Sequence, residues 1–308
     1  MSHSTPLPVT SKKTWLVPLL SLLVGGALMG ISTNLAKVAG ELALTPLAFL
    51  GWSIMGAAII LMTVAAWRHT LPPLTRRTVE YYGIAALVGV AGPNLIFFSA
   101  VPQVGAGFVV LTISLPPLLT YLGALALGME RFNILRAMGV VAALAGAAVL
   151  ALKQLSAPDA DAFWILLALV GPVLLAIGNI YRTLRWPSGV NADALAPGML
   201  IAATIMLMAT GFLPYFSLQV PLDNPLPLLL IGLQAVVFAG QFLLLFILQK
   251  TGGPVLLSLL GSVGSVVGVP VAVYFQGETP PQGLLMGAGL IGLGVVLVSL
   301  GKAKRASS

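Results

Sequence analysis

Polar side chains that interrupt long apolar stretches are the residues of this sequence that could carry chemistry. Asparagine and glutamine side chains offer both hydrogen-bond donors and acceptors, so they suit a polar solute that has no net charge. Inside an apolar stretch each polar group must find a partner or line a wet cavity. We therefore predict one substrate cavity lined by Asn34, Tyr82, Asn94, Thr112, Asn179, Gln234, Phe238, Gln241, Ser258 and Ser262.

The two glutamines of this set lie in a stripe with helical spacing. Gln234, Phe238, Gln241 and Leu245 recur every three or four residues, which places them on one face of a helix. Asn34 shares a helix face with two glycines in the same way. Because an unpaired amide is costly to bury, we favour a cavity position over a simple helix contact for both glutamines and for Asn34.

The smaller polar residues have a second interpretation, which stays open. Ser258, Ser262 and Thr112 can bond back to carbonyl groups of their own helices. Asn94 can instead cap the break that Pro93 makes in its helix. The glycines of the apolar stretches are expected to let helices approach closely rather than to contact a solute.

The composition of the chain is that of a membrane protein. Hydrophobic residues make up 58% of the 308 residues and charged residues 7%, and the mean hydropathy is +1.05. These values lie far outside the range of soluble domains. The 15 lysines and arginines stand singly between apolar runs instead of clustering on one face of a soluble domain, so we expect no nucleic-acid binding.

The sequence offers little of what an enzyme would need. It has no cysteine, and His3 and His69 both fall outside the apolar stretches. No aspartate or glutamate lies in the middle of an apolar stretch, so a buried pair of carboxylates is not expected either. We therefore expect neither an enzyme nor a bound metal or cofactor.

The apolar stretches predict an all-α protein with ten transmembrane helices. Each crossing needs about 20 apolar residues. The predicted spans are residues 15–36, 44–66, 81–101, 104–127, 134–152, 162–182, 194–216, 226–248, 254–275 and 282–301.

Charge placement orients these spans, because lysine and arginine in short loops resist translocation. If both termini lie on one side, 13 of the 15 cations lie there too, and Lys37 and Lys153 lie on the other. The sequence therefore predicts two cytoplasmic termini. Lys37 and Arg182 lie at span ends, from which we expect both side chains to reach the membrane interface.

The two halves of the chain share a pattern of polar and small residues. Five spans per half is an odd number, so the second half must enter the membrane from the opposite side. We predict a tail at 1–14, inverted five-helix repeats at 15–153 and 154–301, and a tail at 302–308. The matched sets are Gln103, Gly107 and Thr112 with Gln249, Gly253 and Ser258, and Asn34 and Lys37 with Asn179 and Arg182.

Further repeated features carry a resemblance to a known family. Both halves have a helix break near Gln103 or Gln249 and a glycine- and glutamate-containing exit at 128–130 or 276–278. With the duplicated layout, these features resemble the EamA-type transporters of the drug/metabolite transporter superfamily, and the YddG-type exporters in particular. The resemblance implies a bacterial inner-membrane location and alternating access around a cavity lined by spans 1, 3, 4, 6, 8 and 9. The implied partners are membrane lipid and exported amino acids, chiefly aromatic, with related small metabolites.

The charged residues of the chain indicate which other classes of solute it could carry. Nucleotide sugars and phosphate esters call for more than one cation facing the cavity, while the related small multidrug antiporters use a membrane-embedded glutamate to export cationic drugs. All eight acids of this chain lie at helix ends or in loops, and we expect Glu278 at the start of the last helix. The absence of a deep carboxylate predicts a facilitator that runs on the gradient of its solute.

Overall fold

The chain was analysed as a computed structural model, in which the described residues are 13–129, 131–155, 161–251, 257, 259–280 and 283–306. These residues form helices and connecting turns, with no β-strand among them. The helices are α1 Lys13–Glu41, α2 Pro46–Trp67, α3 Arg76–Ala86, α4 Gly92–Val104, α5 Ala106–Thr112, α6 Pro116–Ala126, α7 Ile134–Leu155, α8 Ala162–Leu184, α9 Ala192–Thr210, α10 Leu226–Thr251, α11 Leu260–Pro270 and α12 Leu284–Ala306.

Seven helical segments in the described ranges are long and apolar enough to cross a membrane. They correspond to the first four predicted spans and to spans 6, 7 and 8. Shorter apolar helices at Ile134–Leu150, Leu260–Phe275 and Leu284–Leu297 lie where spans 5, 9 and 10 are predicted. The multi-pass membrane character is thus confirmed, and the count of ten crossings stays a prediction.

The helix ends follow local chemistry. Thr45 caps α2 by accepting a 3.1 Å hydrogen bond from the Ala48 N–H, and Pro46 begins the helix at a position where its missing N–H is not needed. The predicted seventh span is too long, because α9 ends at Thr210 rather than at residue 216. Pro214 explains the early end, since a proline disfavours helical conformation in the residue before it.

Three apolar segments are interrupted near prolines. A π-helical turn, Leu87–Ala91, joins α3 to α4 just before Pro93, and a second one, Val271–Phe275, follows Pro270 at the end of α11. Proline has no N–H to donate to the preceding turn, so the helix must locally widen or break. The break between α5 and α6 directly precedes Pro116.

The helices pack closely through glycines. A methyl group on Gly30 of α1 would overlap the carbonyl oxygen of Gly264 in α11, and one on Gly261 would overlap that of Ile113 at the α5–α6 break. Side chains at these two glycines would push the backbones apart, as expected for small residues between membrane helices. Helix α1 is thereby held against α11, and α11 against the α5–α6 break.

Candidate functional site

A narrow cavity lies where α1, α4, α8, α10, α11 and the α5–α6 break converge. These elements belong to the six spans that the family resemblance implies. About 50 Å³ is open to the centres of water molecules, which is room for roughly four waters. The polar lining is Ser32, Thr33, Asn94, Asn179, Arg182 and Gln241, and the apolar lining includes Met29, Phe97, Phe98, Ile113, Leu175, Phe242, Leu245, Leu257 and Leu260.

Three of the ten predicted site residues line this cavity. Asn94 donates its amide to the Val90 carbonyl at 2.8 Å, so it also holds the backbone next to Pro93, as its second interpretation proposed. Asn179 accepts a hydrogen bond through Oδ1. The Oε1 atom of Gln241 is buried and has no hydrogen-bond partner within the described part of the chain. That carbonyl oxygen is a free acceptor for a solute.

Two further predicted residues stand directly behind the lining. Gln234 is fully buried and donates its amide to the hydroxyl of Ser32, which lines the cavity. Phe238 stacks on Phe98 and Phe242 with ring centroids 6.0 and 5.7 Å apart. Phe238 thus helps to position Phe98 and Phe242, and Gln234 helps to position Ser32. Both residues support the cavity lining from behind it.

Asn34 and Thr112 lie away from the described cavity lining. The amide of Asn34 donates to Gly30 of its own helix at 2.8 Å and to the Gly268 carbonyl of α11 at 3.0 Å, so it joins two helices. Thr112 donates its hydroxyl to the Val109 carbonyl at 2.7 Å, which is the back-bonding alternative.

The remaining predicted residues are also outside that lining. Tyr82 donates its hydroxyl to the Pro73 carbonyl at 3.3 Å and packs its ring over Gly198. The hydroxyl of Ser262 is buried, without a hydrogen-bond partner in the described ranges. Ser258 lies outside the described residues.

Arg182 is the cavity residue that sequence reasoning misjudged. The expectation that its side chain reaches the membrane interface is wrong, because the residue is 1% exposed and lines the cavity. Its Nη2 donates to Asn179 Oδ1 at 2.7 Å, while Nε and Nη1 have no hydrogen-bond partner among the described residues. The spacing was a usable signal: Asn179 lies three residues earlier, so the two side chains share a face of α8.

Lys37, the cation matched to Arg182 by the repeat, is engaged elsewhere. Its ammonium lies 3.2 Å from Glu278 Oε1 and donates to the Gln276 carbonyl at 3.3 Å. The same carboxylate accepts 2.9 Å hydrogen bonds from the N–H groups of Ala106 and Gly107. The expectation that Glu278 begins the last helix is therefore wrong, because it stabilises the start of α5.

The cavity carries an uncompensated positive charge. No aspartate or glutamate of the described ranges lines it, and those ranges contain no group of side chains that could hold a metal ion. Aromatic walls, amides and one guanidinium are the groups that a solute would meet. Such a cavity suits an organic solute with an apolar body and a negatively charged group.

Comparison with known proteins agrees with this arrangement. Residues 16–152 match the EamA-like transporter family. The chain is 25% identical to the uncharacterized inner membrane transporter YedA of Escherichia coli K12 over 93% of this chain and 92% of that protein. It is 24% identical to a WAT1-related protein of Arabidopsis thaliana, over 89% of this chain and 87% of the relative.

One solved crystal structure is 18% identical and superposes with a TM-score of 0.63, covering 94% of this chain and 98% of that structure. At this identity the likeness shows the fold. Together, the matches show that the chain is similar to membrane transporters and that residues 16–152 resemble the EamA-like family, and they leave the substrate open.

Proposed function

We propose that this EamA-like transporter exports amino acids, chiefly aromatic ones, and related small metabolites from the cytoplasm. The observation that carries the proposal is the cavity itself, where Phe97, Phe98 and Phe242 stand opposite amides and a buried guanidinium. The aromatic walls suit an apolar side chain, and the polar groups suit the carboxylate and ammonium of an amino acid. One relative is named an inner membrane transporter, which supports a location in the bacterial inner membrane.

Helix packing supports two inverted repeats, residues 15–153 and 154–301. When each helix of the first half is matched with its counterpart in the second, the contacts exchange in pairs. Helix α1 packs on α10 and α11, and its counterpart α8 packs on α4 and α6, which are the counterparts of α10 and α11. Helix α2 packs on its own counterpart α9, and α7 packs on its own counterpart α12. A two-fold axis relating the halves produces this pattern, and the odd number of spans predicted per half puts that axis in the membrane plane. Halves of opposite orientation suit alternating access.

The narrowness of the cavity fits one stage of that cycle. Space for roughly four water molecules cannot hold an aromatic amino acid, so the helices around the cavity must separate before a solute enters. The helix breaks at Ile113 and at the π-helical turn Leu87–Ala91 both adjoin the cavity, and they provide places where the lining can rearrange.

Other solute classes fit the cavity less well. An organic cation would meet Arg182, which repels it, and the described lining holds no acid to compensate. A nucleotide sugar or phosphate ester calls for more than one cation. Lys37 cannot be the second one in this conformation, because Glu278 already pairs with it.

Solute flux tests the proposal directly. The purified protein is reconstituted in liposomes and offered labelled phenylalanine, tryptophan, leucine, tetraethylammonium and glucose 6-phosphate in parallel. We expect the two aromatic amino acids to move fastest and the cation and the sugar phosphate not to move above empty liposomes. Transport of tetraethylammonium or glucose 6-phosphate without any amino acid would refute the proposal.

A further inference from the structure

The charge of Arg182 has no counter-charge within reach among the described residues. The residue is 1% exposed, donates one hydrogen bond to Asn179, and leaves Nε and Nη1 without a partner in the described ranges. A charged side chain at membrane depth is costly, and it is retained where it faces a cavity or pairs with another charge. Arg182 faces a cavity and has no such pair among the described residues, which makes a solute a candidate for its partner.

Arg136 shows what a compensated arginine looks like in the same chain. It is also buried, at 6% exposure, but its guanidinium lies 3.8 Å from the centre of the Tyr121 ring. An aromatic face stabilises a cation at that distance. Nε of Arg136 also has no hydrogen-bond partner in the described ranges, so what distinguishes Arg136 is the aromatic face that stabilises its charge. A role in binding an anion would give Arg182 the counterpart that Arg136 finds in Tyr121.

We infer that Arg182 binds the carboxylate of the solute, and that this carboxylate is the group a solute must have. The inference rests on the proposed function for the premise that the cavity holds a solute. A guanidinium binds a carboxylate through two parallel N–H groups, which Nη2 supplies together with either Nε or Nη1. Nε and Nη1 have no partner in the described ranges, and Nη2 keeps one N–H beyond its bond to Asn179. The Asn179 Oδ1 atom accepts the other N–H of Nη2 and orients the guanidinium.

The ammonium of an amino acid is the less important group at this site. The described cavity lining offers it no carboxylate, and the free acceptor there is the neutral Oε1 of Gln241. A neutral acceptor attracts a cation less than a guanidinium attracts a carboxylate, since only the second pair adds the attraction between two opposite charges to the hydrogen bonds. Aromatic monocarboxylates that lack an amino group therefore share the site with aromatic amino acids.

Three compounds of similar shape test whether the carboxylate contributes more to binding than the ammonium. Phenylalanine carries both charges, 3-phenylpropionate has only the carboxylate, and phenethylamine has only the ammonium. Equilibrium binding of each labelled compound to the purified protein in detergent avoids passive leakage through lipid. We expect 3-phenylpropionate to bind within about tenfold of phenylalanine, and phenethylamine to bind at least about tenfold more weakly than either. Equal binding of phenethylamine and 3-phenylpropionate would overturn the inference.

Substitution of the arginine provides the second arm. Arg182→Gln should weaken both carboxylates roughly 10- to 100-fold, and Arg182→Lys should lose less because it keeps the charge. Arg185→Gln is the matched control, since Arg185 is exposed at the end of the same helix, and it should change neither affinity. Thermal unfolding of each variant checks that it is folded, and carboxylate binding that is unchanged in Arg182→Gln would overturn the inference.

The two proposals fail in different ways. If phenylalanine is neither bound nor carried in liposomes, while 3-phenylpropionate binds in a manner that depends on Arg182, amino-acid export is wrong and the carboxylate site stands. If phenylalanine is carried but phenethylamine binds as well as 3-phenylpropionate, export stands and the carboxylate site is wrong. If no carboxylate binds, the carboxylate site is wrong whatever the flux of other solutes.

Discussion

Gln241 and Gln234 occupy the same face of α10 but have different surroundings. Gln234 is fully buried, and its amide donates to the Ser32 hydroxyl of α1, so it connects two helices. Gln241 lines the cavity and keeps its Oε1 free of partners in the described structure. We therefore assign the first amide to structure and the second to the solute.

Leucine at either position separates these roles. Gln241→Leu should lower the flux of every amino acid several-fold with little change in thermal stability, because no interhelical hydrogen bond through Oε1 is lost. Gln234→Leu, the matched variant, should instead lower stability by about 0.6 kcal/mol, the average for a hydrogen bond between membrane helices. Proteoliposome flux and thermal unfolding measure the two effects. Wild-type flux in a well-folded Gln241→Leu protein would remove Gln241 from the site.

Sequence periodicity predicted which residues share a helix face, but not whether that face lines the cavity or packs against another helix. The stripe of Gln234, Phe238, Gln241 and Leu245 lies on one helix as predicted, yet only Gln241 and Leu245 line the described cavity. Asn34 was expected to contact solute, whereas its partner is the Gly268 carbonyl, 234 residues away. The identity of such a neighbour depends on helix packing, which periodicity within one helix does not specify.

At the scale of elements, a glycine contact fixes the centre of the bundle. Gly261 of α11 lies against the carbonyl oxygen of Ile113, where the chain breaks between α5 and α6. Both residues also line the cavity. Because the backbones touch here, this contact sets the distance between α11, in the second half of the chain, and the α5–α6 break, in the first half.

Alanine at Gly261 should widen this contact. The added methyl group would overlap the Ile113 carbonyl oxygen, and overpacking of this kind costs about 1–3 kcal/mol. Gly232 of α10 is the control, because a methyl group there meets nothing within 4 Å, and alanine favours a helix. Thermal unfolding in detergent should show Gly261→Ala melting lower and Gly232→Ala melting at or above the wild-type temperature. Equal melting of the two variants would contradict this packing.

A polar cluster joins three elements at one end of the bundle. Glu278 joins Lys37 of α1 to the first N–H groups of α5, and Gln276 donates to the Asn34 carbonyl at 2.9 Å. Three elements are thus tied at the end that the predicted topology places outside the cytoplasm. We predict that the cluster stabilises a conformation closed at that end, so its loss should favour the opposite one.

Cysteine labelling can detect such an opening, since the chain has no native cysteine. Thr33→Cys places a thiol on the cavity lining, at a residue that is 3% exposed. Adding Glu278→Gln removes the ion pair, worth up to about 1 kcal/mol, so labelling by an impermeant maleimide from outside should rise about fivefold. Glu41→Gln removes an exposed acid at the same end of α1 and should not change the rate. Unchanged labelling with Glu278→Gln would show that the cluster does not hold the cavity closed.

The sequence predicted the helices better than the contacts and turns that connect them. Apolar length located the helices, because about 20 residues are needed to cross a membrane whatever the fold. The contact between Glu278 and the start of α5 spans 172 residues and had no local signal. The π-helical turns beside Pro93 and Pro270 were likewise not predicted, since a proline indicates an interruption without specifying its form.

For the whole molecule, the distribution of cations predicts the topology. With both termini inside, 12 of the 15 lysines and arginines are predicted on the cytoplasmic side, without Arg182, which lines the cavity. A reporter fused after Ser308 should therefore be cytoplasmic, and one inserted near Asp159 should be periplasmic. Two reporters on the same side would show that the number of crossings before or after Asp159 is wrong, and the inverted repeats would be wrong with it.

The energy source is the second property of the whole molecule. A proton-driven carrier needs a titratable group that binds and releases its proton within the membrane. No acid of the described residues lines the cavity, and Glu278 is held by Lys37 and the start of α5. The described residues place no acid on the proposed transport path, and we therefore predict a facilitator driven by the solute gradient alone.

A pH gradient across liposomes tests this directly. Proteoliposomes are loaded with phenylalanine at the same concentration inside and outside, and a gradient of about one pH unit, worth about 1.4 kcal/mol per proton, is imposed. We expect no net movement, because the zwitterion carries no net charge and no proton is coupled to it. Net accumulation that a protonophore abolishes would contradict the facilitator. Glu278→Gln would then decide whether Glu278 carries the proton, since accumulation should vanish in that variant if it does.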